Sequence, residues 1–102
     1  MGVVAELSVV PLGAGPSVGE LVAEAVKALR EAGIRLQVTP MCTVFEAGTA
    51  EEAFEAALRA HEALFKAGAV RVVTMLRIDE RRDVEHSMER KLASLEARLK
   101  GT

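Results

Sequence analysis

Few residues in this sequence could do chemistry, and two of them fall in one short run, TPMCTVFEAG, residues 39 to 48. Glu46 is a lone carboxylate near its end. In an extended strand it shares a side with Cys42 and Val44, while Thr43 and Phe45 share the other. Whichever side meets a core, a polar residue points inward or into a subunit contact, and a buried carboxylate needs a partner. Arg35 or Arg71 as an ion-pair partner and a cationic or hydrogen-bonding ligand both satisfy that need. Cys42 has no histidine beside it to make it a nucleophile, so it reads as small apolar filler. His61 lies within an apolar helical pattern with no Cys or second His at ligand spacing, which predicts a satisfied, partly buried imidazole and no metal site. His86 is expected in solvent. The charge run RIDERRD, residues 77 to 83, reads as a solvated face, with an intersubunit ion-pair network or an anion site as alternatives. GAGPSVG, residues 13 to 19, sits between a strand and a helix, where main-chain amides hold anions in some folds. No acidic ribose partner follows on a parallel strand, so the dinucleotide-binding reading fails and a plain connecting loop is expected.

The elements that must position these residues follow from periodicity. Residues 3 to 12, VVAELSVVPL, are rich in Val and closed by Pro11 and glycines, which predicts a strand. Ser17 opens S-V-G-E, a capping box. Val18, Leu21, Val22, Ala25, Val26 and Leu29 then recur on one helical face until Gly33 supplies a stop. IRLQVT alternates apolar Ile34, Leu36 and Val38 with polar neighbours, a second strand. Pro40 cannot donate to a sheet ladder, so the chain turns there and returns as a hairpin partner, CTVFEAG. Thr49 opens another capping box, T-A-E-E, and the helix behind it is expected to bury Phe54, Ala57, Leu58, His61 and Phe65 before Gly68. A fourth strand runs from Val70 to about Ile78. From about Asp83 a charged helix carries Met88, Leu92, Leu95 and Leu99 as a narrow apolar stripe.

The order β-α-β-β-α-β plus a terminal helix is that of an α+β, ferredoxin-like fold, a four-stranded antiparallel sheet with two helices on one face and an extra C-terminal helix. One domain over residues 1–102 is expected, since this length with half its residues hydrophobic supplies a single core. Apolar residues on both alternations of the first and fourth strands, Val9 with Val10 and Val72 with Val73, predict that the open face is covered by another subunit. A net charge of −2 offers no electrostatic pull on nucleic acid. RNA binding on this topology would also need aromatics on the central strands, and residues 3 to 12 and 70 to 78 have none. The single cysteine and the lack of a leader or long apolar run predict a cytoplasmic, soluble protein. No Asn, one Gln and nine Arg against four Lys point by composition to a thermophile.

Along essentially its whole length the sequence resembles the small thiamine-binding-protein-like family. The pieces that carry the resemblance are the S-V-V-P-L-G start, the T-P-M-C-T-V-F-E hairpin and I-D-E-R-R-D at the end of the fourth strand. The resemblance implies the ferredoxin-like fold, sheets paired into dimers that associate as tetramers, and in some members a pocket near the hairpin for thiamine or its hydroxymethylpyrimidine part. It implies that Thr43 is a pocket threonine and Glu46 a pocket carboxylate, with Ser8, Thr39, Pro40 and Met41 as walls. Cys42 and Ala47 stand where the family pattern has glycine, and a side chain at 42 narrows the main-chain approach to a ligand. An aminopyrimidine offers ring nitrogens and an exocyclic amine that a carboxylate and a hydroxyl can bracket, and the thiazolium is a fixed cation. Phe45 is the one aromatic in the hairpin available for stacking, and Met41 and Met75 are adaptable apolar walls.

These observations lead to an expectation of a non-enzymatic, homo-oligomeric binding protein for thiamine or a related heteroaromatic, with no cofactor and neither nucleic acid nor membrane as partner. The alternative is a structural or regulatory homo-oligomeric module with no small-molecule ligand. Acylphosphatase chemistry on this topology would want an asparagine, and the sequence contains none.

Overall fold

The computed structural model describes residues 2–13 and 18–100. The elements run β1 (Gly2–Pro11), α1 (Val18–Glu31), β2 (Leu36–Val38), β3 (Thr43–Ala47), α2 (Ala50–Lys66), β4 (Val72–Arg81) and α3 (Met88–Lys100). They form the α+β, ferredoxin-like arrangement, with an antiparallel sheet in the order β2-β3-β1-β4. The capping box expected at Ser17, and residues 14–17 of the glycine-rich loop, lie outside the described residues.

Alternation along β1 divides the sheet. Val3, Ala5, Leu7 and Val9 enter a core closed by Ala25 and Leu29 of α1 and by Ala53, Ala56, Ala57, Ala60 and Leu64 of α2. Val4, Glu6, Ser8 and Val10 face the other way. Strand register carries the division across the sheet: Thr43 and Phe45 pair with Leu7 and Ala5 on the helix side, while Val44 and Glu46 pair with Glu6 and Val4 on the open side. On β4, Val73, Met75, Arg77 and Asp79 share that open side.

The helix ends obey local rules. Gly33 turns with φ 75°, the left-handed conformation that costs glycine least. Its N–H reaches the Arg30 carbonyl and that of Ile34 the Leu29 carbonyl, which closes α1. At α2 the Thr49 side chain accepts from Glu52 N at 3.1 Å, and Glu52 Oε2 accepts from Gly48 N at 2.9 Å. This is the expected box, reaching back one residue beyond the cap.

The face of α2 corrects the periodic reading. Ala57 is buried as expected, but Phe54, Leu58 and Phe65 are exposed, and His61 is half-buried. A row of alanines lets α2 approach the sheet and α1 closely, and such tight packing leaves the larger side chains on the flank. His61 is satisfied, with Nδ1 2.6 Å from Thr74 Oγ1 on β4 and its ring edge-on to Phe65.

Candidate functional site

The β2–β3 connection is a tight turn built by Thr39. Its N–H donates to the Cys42 carbonyl at 2.9 Å, and its hydroxyl donates to the same oxygen while accepting from the N–H groups of Met41 and Cys42. A threonine hydroxyl folded onto its own turn fixes the loop without a glycine. β1 outruns this hairpin: its pairing with β3 stops at Leu7, whereas its pairing with β4 continues to Pro11. Main chain of β1 beyond Leu7 is therefore left without a strand on the hairpin side.

A cleft of about 150 Å³ occupies that corner. Its roof is the apolar face of α1, Val22, Ala25, Val26 and Leu29, and its far wall is the turn from Val38 to Cys42. Ser8, Thr39, Pro40, Met41 and Thr43 all line it. The alternation of β1 puts the Ser8 side chain on the open side of the sheet, so Ser8 offers the cleft main chain. The Thr39 hydroxyl is used by the turn. Thr43 lies on the helix side of β3, and its hydroxyl has no hydrogen-bond partner among the described residues. The cleft thus combines an apolar roof, one available hydroxyl and a bare strand edge, with no ionisable carboxylate in its lining. Met41 is exposed at its rim.

Two residues expected beside Thr43 are elsewhere. Phe45 is fully buried among the core side chains and offers no face to the cleft. Glu46 points from the opposite face of β3, and its Oε2 accepts the Met88 N–H at 2.9 Å, at the start of α3. Neither Arg35 nor Arg71 is its partner. Arg35 gives its main-chain carbonyl to Glu46 N and pairs its guanidinium with Glu89.

Glu46 belongs to a clasp that fixes the first turn of α3. Asp79 on β4 takes Lys91 Nζ at 2.6 Å, and His86 Nε2 stands 3.1 Å from the same oxygen, out of line for a hydrogen bond. The lysine and then the histidine hold the Asp79 carboxyl below its ordinary range. Ser87 caps the helix, accepting from Arg90 N at 3.1 Å. His86, expected in solvent, has a side chain only 6% exposed. The segment before α3 presses against the start of β1, where a Cβ on Gly2 would stand 2.7 Å from the His86 carbonyl oxygen.

Arg81 with Asp83 and Arg82 with Glu80 form exposed pairs within residues 77 to 83, and Arg77 reaches Glu6 at 2.7 Å. Cys42 is not plain filler: its Sγ lies 3.7 Å from both Glu6 Oε2 and Thr39 Oγ1, which tucks it under the turn on the open side.

The family described as thiamine-binding protein matches residues 5–96. The chain belongs to that family. A UPF0045 protein of Methanothermobacter thermautotrophicus is 40% identical over 98 residues, covering 95% of this chain and 99% of its own. Among solved structures, a hypothetical protein of Methanocaldococcus jannaschii superposes with a TM-score of 0.83 at 37% identity, covering 92% of this chain and 95% of that one. A putative thiamine biosynthesis/salvage protein of Thermotoga maritima has a TM-score of 0.79 at 23% identity over 93% of this chain and 99% of that one, a likeness of fold. Among the described residues no helix is long and apolar enough to cross a membrane.

Proposed function

We propose that this chain is a non-enzymatic binding protein for a single heteroaromatic ring, the hydroxymethylpyrimidine part of thiamine or a close relative, taken up in the cleft between α1, the edge of β1 and the β2–β3 turn. The observation that carries the reading is Thr43: a free hydroxyl on the wall of an otherwise apolar cleft, beside main chain that no strand covers. Volume favours one ring over two. About 150 Å³ is the size of a cavity that takes up benzene, and it lies below the range of roughly 300 to 1,000 Å³ typical for larger ligands. Charge points the same way, because a thiazolium cation inside this cleft would be desolvated without a counter-charge. The neutral pyrimidine is the better guest, and in thiamine the second ring would remain outside in solvent.

Calorimetric titration with hydroxymethylpyrimidine and with thiamine tests this. The free pyrimidine is expected to bind at least as tightly as thiamine, and Thr43→Val to weaken it about fivefold to tenfold, the worth of one hydrogen bond of roughly 1 kcal/mol. Absence of saturable heat with either compound would contradict the proposal.

A second reading, a structural or regulatory homo-oligomer without ligand, is favoured by one observation: Glu46, the polar residue most suggestive of recognition, is spent on holding α3. Homo-oligomerisation is part of both readings. It is supported by Val10, Val73 and Met75 on the open side of the sheet, the last 66% exposed, an apolar surface that a second copy would cover.

A further inference from the structure

Hydrogen-bond direction alternates along β1, and contacts at both of its neighbours fix the phase. Leu12 N donates to the Arg71 carbonyl, so Leu12 faces β4. Val10, Ser8 and Glu6 face the same way, and Val9, Leu7 and Ala5 turn their N–H and C=O toward β3. β3 agrees. Glu46 N donates to the Arg35 carbonyl and the Cys42 carbonyl accepts from Thr39 N, which leaves Thr43 and Phe45 to face β1. Leu7 therefore exchanges its pair of bonds with Thr43, the last partner that β3 supplies. One step further the register would set Val9 opposite Met41, but Met41 stands exposed in the turn with its N–H held by Thr39 Oγ1. On that side the N–H and C=O of Val9 have no hydrogen-bond partner among the described residues, in a residue only 8% exposed that lines the cleft.

A residue that turns both groups the same way offers an adjacent donor and acceptor. Whatever fills the cleft must bring an equally adjacent acceptor and donor, because buried main-chain groups are almost always paired. Apolar guests leave both unmet. A ring nitrogen beside an exocyclic amine meets both in one plane. We infer that the main chain of Val9 reads this edge: the ring lies in the plane of the sheet where the next residue of a longer β3 would stand, its nitrogen accepting from Val9 N–H and its amine donating to Val9 C=O. The recognised class, granted the ring-binding reading above on which this rests, is N-heteroaromatics with an amine beside a ring nitrogen.

Strand direction fixes the orientation. Along β1 the N–H of Val9 lies on the Leu7 side and its C=O on the Val10 side. A 4-aminopyrimidine therefore sits with N3 toward Leu7 and its amine toward Val10. Its second ring nitrogen then faces Thr43, the partner of Leu7, whose hydroxyl donates to it. The substituent at C5, beside the amine, runs along β1 toward Pro11, past the end of the hairpin. In thiamine the second ring hangs from that carbon, so it leaves the cleft at this end. Recognition of this kind needs no carboxylate, and none lines the cleft.

The reading groups are main-chain, so the guest is varied and the protein kept as it is. Hydroxymethylpyrimidine, its analogue without the amine and its analogue with the amine dimethylated are titrated by calorimetry, while NMR follows the Val9 amide proton and carbonyl carbon. Hydroxymethylpyrimidine is expected to shift the Val9 amide proton downfield and to move its carbonyl carbon. The analogue without the amine is expected to bind about tenfold more weakly, the effect of one carbonyl left unpaired, and to move the proton alone. Dimethylation is expected to abolish binding. Saturable binding of hydroxymethylpyrimidine with Val9 unmoved, or equal affinity for all three, would overturn recognition by the main chain while leaving the ring-binding reading standing. Absence of binding by any of the three would overturn both.

Discussion

Thr43 and Glu46 sit three positions apart on one strand, and the alternation of that strand sends them to opposite faces of the sheet. Their substitutions should therefore separate cleanly. Glu46→Gln is expected to leave the cleft and ligand affinity unchanged while the amides of the first turn of α3 exchange faster, with a loss of about 1 kcal/mol from the weakened acceptor. Hydrogen exchange and calorimetry on the same sample check both halves. Asp79 gives this clasp a pH dependence. Its folded-state pKa is lowered by Lys91 and His86, so its contribution is present above the ordinary carboxylate value of about 3.9 and is lost as the pH falls through the lower, folded value. Acidification into that range is expected to loosen the start of α3 in the parent protein, with a smaller change in Asp79→Asn, followed by exchange of the α3 amides. Residue types announced that Glu46 needed a partner. They could not name it, because the partner is a main-chain N–H contributed by Met88, and an amide in a distant segment has no signature in the sequence.

At the level of elements, residue pattern and composition found every strand and helix, and Pro40 and the capping box at Thr49 placed two of the boundaries. It misjudged the buried side of α2 because hydrophobicity scales weight Phe and Leu above Ala, whereas close helix packing rewards the small residue. Ala60 is fully buried and Leu58 is 58% exposed. Ala60→Leu is accordingly expected to destabilise the fold by about 1 to 3 kcal/mol through overpacking, and Leu58→Lys to change stability by less than about 0.5 kcal/mol, both measured by urea unfolding. The family resemblance implied Thr43 as a pocket threonine with Ser8, Thr39, Pro40 and Met41 as walls, and these five residues line the cleft. The roof was not legible, because Val22, Ala25, Val26 and Leu29 look like any amphipathic helix until the strand offset between β1 and β3 opens a space beneath them.

The whole molecule is a two-helix, four-stranded domain with one bare sheet face and a terminal helix. Two-sided apolarity in β1 and β4 made that bare face visible in the sequence, since a strand that only meets water on one side has no use for Val10, Val73 and Met75 there. Met75→Glu is expected to shift the protein to a smaller species in size-exclusion without altering its circular dichroism. The cleft lies on the helix side and near one end, so the proposed binding and the proposed assembly would use different surfaces and should be separable by mutation. The most direct measurement of the central claim is a titration of 15N-labelled protein with hydroxymethylpyrimidine, followed amide by amide. Shifts concentrated at Ser8, Val9, Thr39 to Thr43 and the α1 positions above them would be the predicted result. Shifts centred on Glu46 and the start of α3, or none at all, would contradict it.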